Sequence, residues 1–238
     1  MEMTTVLLLR HGETEANAAG VLQGQSESDL TARGKRQAAA LGEALKARVS
    51  NENIRVSPTI YASDLRRASD TAQAVADAIG GASVACDPRL RERRLGPFQG
   101  ISNAECARRF PQTWTAFNEG DFDIEGGSCI VEPGADANGG IESVDAMRER
   151  GMAALAEIAS RHAGSTVFVV SHGGWIYTAV AACSDGRPVP HIRNVSVTTL
   201  RTTGGADTSW QVVEVGEVVA SDDQTAASDG RNADLRPQ

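Results

Sequence analysis

The sequence predicts an α/β domain, a three-layer α/β/α sandwich with a mostly parallel central sheet. Three observations carry this. Short, continuously apolar runs of strand length occur at 4–10 (TTVLLLR), 59–63 (TIYAS) and 165–171 (STVFVVS), the pattern of strands buried on both faces by flanking helices. Stretches with helical apolar periodicity lie between them. The resulting order, strand then helix then strand then helix, is that of a parallel sheet covered on both sides.

Taken in order, the first strand ends abruptly at Arg10-His11-Gly12. In LTARGKRQAAALGEALKARV, residues Ala38, Leu41, Leu45 and Val49 share one helical face, with Thr31 as N-cap. TIYAS runs through Ser63-Asp64 into SDLRRASDTAQAVADAIGG. There Leu65, Ala68, Ala72, Val75 and Ile79 form the apolar stripe, Asp64 reads as a cap, and Gly80-Gly81 supplies the stop. A third helix, IESVDAMRERGMAALAEIASRHAG, uses Val144, Met147, Leu155 and Ile158 and ends at Gly164; STVFVVS follows and ends in His172-Gly173-Gly174. Two regions break the rhythm. Residues from about 111 to 140 are acidic, glycine-rich and of little periodicity, as in an inserted or lid loop, and the stretch from 217 to 238 has few large apolar residues and reads as a disordered acidic tail. The expectation is one domain over 1–216 with an insertion at about 111–140.

Composition narrows the function. The chain has 238 residues, 41% hydrophobic and 23% charged, and its 23 Lys and Arg against 31 Asp and Glu leave a net charge of −8. A pI near 5.1 argues against a protein whose work is gripping nucleic acid. Any anionic ligand must therefore be held by a local cationic pocket. The four cysteines show neither a C-x-x-C pair nor zinc-ligand spacing, and no apolar run approaches the roughly 18 residues of a membrane span. The amino terminus lacks a basic segment followed by a long apolar core, so a cytoplasmic protein with reduced thiols is expected.

Ligands of open α/β sheets bind outside the carboxyl ends of the strands. Here those ends carry Arg10 and His11, then Arg66 and Arg67 just beyond Ser63-Asp64, then His172. Each signal is weak alone, since a histidine after a strand is most often structural and glycine pairs are usually turns. Together they place two histidines and two or three arginines around one point.

That combination resembles the histidine phosphatase superfamily, also called phosphoglycerate mutase-like. LLLRHGETEAN carries its R-H-G-[ET] signature and VVSHGG its second histidine. VLQGQSESDLTARGKRQA, YASDLRRASDTA, RLRERRLGPFQG, GGIES and NVSVTTL resemble further segments of the family, in order, from about Thr4 to Leu200. The resemblance implies that His11 is the nucleophile that accepts a phosphoryl group, that Arg10, Arg67 and His172 grip its oxygens, and that Glu92 protonates the leaving oxygen. Asn17 and Gly173 join the phosphate contacts, and Gln23, Gly24 and Arg93 the substrate contacts. His172, if cationic, adds a further donor, and Gly173-Gly174 lets a helix start close to the anion. Chemistry supports these roles: a neutral imidazole is a competent nucleophile at pH 7, and guanidinium forks match phosphoryl oxygens. No metal and no cofactor are implied.

Within the family the reaction is hydrolysis or mutase transfer. The R-S-Y-D-x-P-P-P segment of cofactor-dependent mutases is not found, and QGQ-ESDL with ERxxGxxQG looks more like broad phosphomonoesterases, including metal-independent phosphoserine phosphatases. The expected function is thus a metal-independent phosphomonoesterase of small metabolites: phosphoserine, phosphoglycerates or sugar phosphates. A cofactor-dependent mutase, a non-catalytic phosphate-binding scaffold and a metal-dependent hydrolase are the alternatives. GPFQG lacks the family's frequent Trp-Glu, and Ile141 splits G-G-E-S. His162 reads as a complement to a helix dipole.

Overall fold

The computed structural model describes residues 2–118, 140–203 and 209–219. Strands β1 (Thr4–Arg10), β2 (Thr59–Ala62), β3 (Ser83–Cys86), β4 (Thr166–Ser171), β5 (Val197–Thr202) and β6 (Trp210–Glu217) form one sheet in the order β3-β2-β4-β1-β5-β6. The first four are mutually parallel; β5 runs antiparallel to β1, and β6 antiparallel to β5. Helices α1 (Glu15–Ala19), α2 (Ala32–Asn51), α3 (Arg66–Ile79), α4 (Asn103–Arg109), α5 (Pro111–Asn118), α6 (Val144–Arg161) and α7 (Gly173–Ala182) complete the fold.

Alternation along β1 explains the three layers. Leu7 and Leu9 face α2 and α3, packing with Leu41, Leu45, Ala68, Ala72 and Val75, whereas Val6 and Leu8 face α6 and α7, packing with Met147, Leu155, Ile158, Trp175 and Ile176. A strand covered on both sides has no polar face to show, hence the unbroken VLLL. Thr31 caps α2 by accepting from the Gly34 N–H, and Gly80 ends α3 at φ 83°.

Register decides the site. Arg10 of β1 lies level with Ser171 of β4, and the His11 N–H donates to the Ser171 carbonyl. His11 and His172 therefore emerge side by side at the carboxyl ends of two neighbouring central strands. The chain after β1 is pressed against the first turn of α2: a Cβ on Gly34 would lie 1.9 Å from the Glu13 carbonyl oxygen, and one on Gly12 would lie 2.5 Å from the Gly34 carbonyl oxygen. Both positions exclude any side chain.

Several expectations need correction. Residues 111–118 are not loop but helix α5, because Phe110, Trp114 and Phe117 recur at helical spacing and pack with Phe98, Leu22 and Leu95 into a third, smaller core. Residues 119–139 of the expected insertion, and 220–238 of the expected tail, lie outside the described residues. Glu217, where the tail was expected to begin, is the last residue of β6, and its carboxylate pairs with Arg48. Asp64 does not cap α3. Its carboxylate makes a two-pronged pair with Arg91 at 2.7 and 2.6 Å, while the Arg66 N–H is met by Glu27. His162, in contrast, does stand at a helix end, as the C-cap residue of α6, and its Nε2 meets the Tyr61 hydroxyl at 2.9 Å.

Candidate active site

His11 is 3% exposed, and its Nδ1 meets the Gly12 carbonyl oxygen at 2.7 Å. A carbonyl only accepts, so Nδ1 carries the proton and Nε2 presents a lone pair. The Gly12 backbone is itself held, its N–H donating to Thr71 Oγ1 at 3.1 Å while Thr71 donates to the Arg67 carbonyl. Asn194 Nδ2 donates to the His11 carbonyl at 2.9 Å. Thr71 and Asn194 thus anchor the His11-Gly12 backbone from two sides.

Arg66 and Arg67 part company at the start of α3, as neighbours on a helix must, pointing about 100° apart. Arg66 pairs with Asp29 at the surface, its side chain 59% exposed. Arg67 is 1% exposed, its Nη1 and Nη2 donating to the Ser26 and Gly24 carbonyls and its Nε to His172 Nδ1 at 3.2 Å. Because Nδ1 of His172 accepts, Nε2 carries the proton, and this buried Nε2 meets no hydrogen-bond partner among the described residues. The rings of His11 and His172 stand 5.2 Å apart. One imidazole offers a lone pair, its neighbour an N–H, and the buried cations Arg67 and Arg10 act on both.

Arg10, 2% exposed, anchors Nη1 on the Ile192 carbonyl at 2.6 Å. Asn17 Oδ1 accepts from the Thr14 N–H and, more distantly, from Asn194 Nδ2 at 3.5 Å, which turns its amide N–H group the other way. Glu92 stands on the loop after β3. Its Oε1 accepts from the Arg93 N–H at 2.8 Å and its Oε2 from the Gly174 N–H at 2.9 Å, so this carboxylate, at the N-terminus of α7, occupies a place where an anion is favoured.

Comparison with known proteins sets this geometry in a family: residues 6–217 match the model of the histidine phosphatase superfamily (branch 1). The chain belongs to that superfamily. A metal-independent phosphoserine phosphatase of Arabidopsis thaliana is 38% identical over 82% of this chain and 75% of its own. A glucosyl-3-phosphoglycerate phosphatase of Mycolicibacterium vanbaalenii is 35% identical over 79% and 77%. Among solved structures, YhfR of Bacillus stearothermophilus superposes with a TM-score of 0.73 at 28% identity, covering 90% of this chain and 98% of its own.

Not every expected contact of this superfamily member is placed as the sequence implied. For His172 the cationic form was a condition, not an expectation. Burial and the charge of Arg67, with lesser contributions from His11, Arg10 and Arg150, hold its imidazole well below the usual histidine range. The donor this favours is the Nε2–H of a neutral ring. His11 is likewise held well below that range by burial, Arg67 and Arg10, outweighing its bond to Gly12. Of the two glycines opening α7, Gly174 spends its N–H on Glu92, while Gly173 is the buried first residue of the helix. Gly24 acts through its backbone: its carbonyl accepts from Arg67 Nη2, and its φ of 51° suits a glycine. Gln23 accepts from the Thr14 hydroxyl. Arg93 is 1% exposed, its Nε donating to the Glu142 carbonyl and its guanidinium lying over the Phe117 ring at 5.5 Å. No group of three or more His, Cys, Asp or Glu among the described residues is placed to hold a metal ion.

The two neutral histidines make stability depend on pH with a definite sign. As pH falls through 6.5 the unfolded chain binds protons that the folded site refuses, so stability present above that value is lost on acidification until the folded site itself takes up protons. Urea unfolding followed from pH 7 to 5 should show the wild type losing stability faster than His172→Gln, whose amide takes up no proton. Equal slopes would show that the folded site binds the His172 proton as readily as the unfolded chain does, and a slower loss in the wild type that His172 is charged in the folded protein.

Sequence reading missed Thr71, Asn194, Glu142 and Arg150 as working parts. Asn194 is aimed at His11 by Val195, a β-branched residue at φ 52°, a conformation that costs about 1–3 kcal/mol. Its N–H donates to the Arg10 carbonyl. No sequence signal marks that strain. Arg150 did leave one, since it falls three residues after Met147 and four before Ala154, within the buried stripe of α6.

Proposed function

We propose that the chain hydrolyses small phosphomonoesters through a phosphohistidine on His11 Nε2. The observation that carries this is the opposed pair of imidazole tautomers: Gly12 fixes a lone pair on His11, and Arg67 fixes an N–H on His172, 5.2 Å away ring to ring. Such a pair offers a phosphoryl group a nucleophile and a donor on adjacent strand ends, with Arg10 and Arg67 neutralising its oxygens and Asn17 and Gly173 adding donors. Gln23, Gly24 and Arg93 are assigned to the surroundings of the leaving group.

In the first step the His11 Nε2 lone pair forms the N–P bond as the P–O bond to the leaving group breaks. Glu92, which takes up a proton when the substrate's phosphate dianion comes beside it, gives that proton to the departing oxygen. The positive charge that appears on the imidazole is shared with Nδ1–H and its Gly12 carbonyl. In the second step a water oxygen attacks phosphorus, Glu92 takes the water's proton, and the N–P bond breaks, returning neutral His11 and free phosphate. Positioned cations matter most here because charge on the transferring group is spread over its oxygens, each well-placed donor contributing roughly 10²–10³-fold.

The relatives' names support phosphoserine, phosphoglycerates and glucosyl phosphoglycerates as the first substrates to try. The net charge of −8 supports a small ligand held by local cations over nucleic acid. The test is phosphate release from p-nitrophenyl phosphate and a panel of phosphoserine, 2- and 3-phosphoglycerate, bisphosphoglycerate and sugar phosphates, all in EDTA. Turnover that persists in EDTA is expected. Activity abolished by EDTA, a wild type inert across the panel, or conversion of 3- to 2-phosphoglycerate without phosphate release would overturn the reading.

A further inference from the structure

Glu92 sits on an irregular loop, and a proton donor on a loop needs something to hold it within a fraction of an ångström of its place. The side chain of Arg150, from α6, meets that loop from below. All five of its N–H donors find acceptors: Nε and one Nη2 hydrogen go to the two Glu142 oxygens at 2.7 and 2.9 Å, both Nη1 hydrogens to the Arg89 and Arg91 carbonyls at 2.8 Å, and the other Nη2 hydrogen to the Glu92 carbonyl at 2.9 Å. Three carbonyls from four consecutive residues thus converge on one guanidinium.

Glu142 completes the clip. Its Oε2 also accepts from the Arg94 N–H at 3.1 Å, and its own N–H donates to the Arg94 carbonyl at 2.8 Å, so the loop is gripped on both sides of Glu92. Burial alone would raise the Glu142 carboxyl, but Arg150 and Arg94 hold it below the usual range, which keeps it the anion the fork requires. Arg150 and Glu142 are 20% and 11% exposed at their side chains, partly shielded from competing water. Gln25 Nε2 adds one more bond to the Glu92 carbonyl at 3.1 Å, and Ser171 Oγ ties the neighbouring Leu90 carbonyl to β4.

We infer that Arg150, oriented by Glu142, is a positioning residue for Glu92, setting the loop from which Glu92 meets the leaving oxygen. The inference rests on the reading of Glu92 as the proton donor. A lysine has one ammonium centre and cannot span three carbonyls and a carboxylate, so Arg150→Lys keeps the charge and removes the fork.

The experiment compares kcat/KM for p-nitrophenyl phosphate, whose phenolate departs without protonation, with that for an alkyl phosphate such as phosphoserine or β-glycerophosphate, whose alkoxide does not. Glu92→Gln is expected to lose roughly 10²–10³-fold on the alkyl ester and far less on the aryl ester. Arg150→Lys is expected to show the same selectivity at roughly tenfold, and Arg150→Lys in the Glu92→Gln background no further selective loss. Equal losses on both esters by Arg150→Lys, or a selective loss that multiplies in the double variant, would overturn the inference while leaving Glu92 as the donor. Glu92→Gln without leaving-group dependence would overturn that reading, and this inference with it. Should Arg150→Lys fail to fold, Glu142→Gln removes the fork's anionic partner and is judged by the same comparison.

Discussion

Replacing His11 with asparagine is expected to lower kcat/KM on every substrate by roughly 10⁴-fold or more, and to remove the acid-labile, base-stable phosphoenzyme seen in rapid-quench experiments with wild type. The size follows from the absence of a stand-in. The neighbouring ring, His172, has its Nδ1 occupied by Arg67 Nε, so it offers an N–H where a nucleophile must offer a lone pair. The three described cysteines are no substitutes either, for burial is the largest cause raising each thiol, to about 11 for Cys106 and Cys183. A loss of less than about tenfold in a folded His11→Asn protein would mean that the phosphoryl group is transferred directly to water or to another residue, and the phosphohistidine mechanism would be wrong.

The second large effect is expected at Arg67. Arg67→Met should lower kcat/KM by roughly 10³-fold, because one side chain does three things at once. In the proposed mechanism it supplies charge to the phosphoryl oxygens; in the structure it fixes the His172 tautomer through Nε and holds the turn at Gly24 and Ser26. It also acts on the nucleophile's proton equilibrium. Arg67 follows burial as a cause of the depressed His11 value, so its removal must raise that value toward 6.5. The acid limb of kcat/KM, which reports protonation of His11 in the free enzyme, then moves to higher pH. A pH-rate profile with an unmoved acid limb would show that Arg67 does not face the nucleophile's charge. Arg67→Lys should recover part of the pH shift, since it restores charge, but little of the rate, since it lacks the Nε donor and the fork.

Much of this protein could be read along the chain because its central strands are buried on both faces. An unbroken apolar run such as VLLL or VFVV needs no partner to be recognised, and neither do helix stripes such as Ala38, Leu41 and Leu45. The short edge strand β3, by contrast, has only Val84 and Ala85 to mark it, and β6 shares its apolar side chains with a half-exposed edge. Helix α5 escaped notice because its apolar residues begin at Phe110, one residue before Pro111 made the chain look like loop. The Arg10-His11-Gly12 and His172-Gly173-Gly174 strand ends stood out because cations and a turn at the end of a buried strand are chemically incongruous.

The layered architecture, the candidate nucleophile and the set of charged groups are legible along the chain, since each is local or recurs in ordered motifs. The state of those groups is set by the folded arrangement. Which imidazole nitrogen bears the proton depends on Gly12 for His11 and on Arg67, 105 residues away in the chain, for His172. Whether His172 is charged depends on burial and on cations from other elements. Where the Glu92 backbone sits depends on an N–H donor of Arg150, 58 residues further along the chain, to the Glu92 carbonyl. Tautomer, charge and position are properties of neighbours in space, and their effects fall off within a few ångströms, so no reading of neighbours in sequence could contain them.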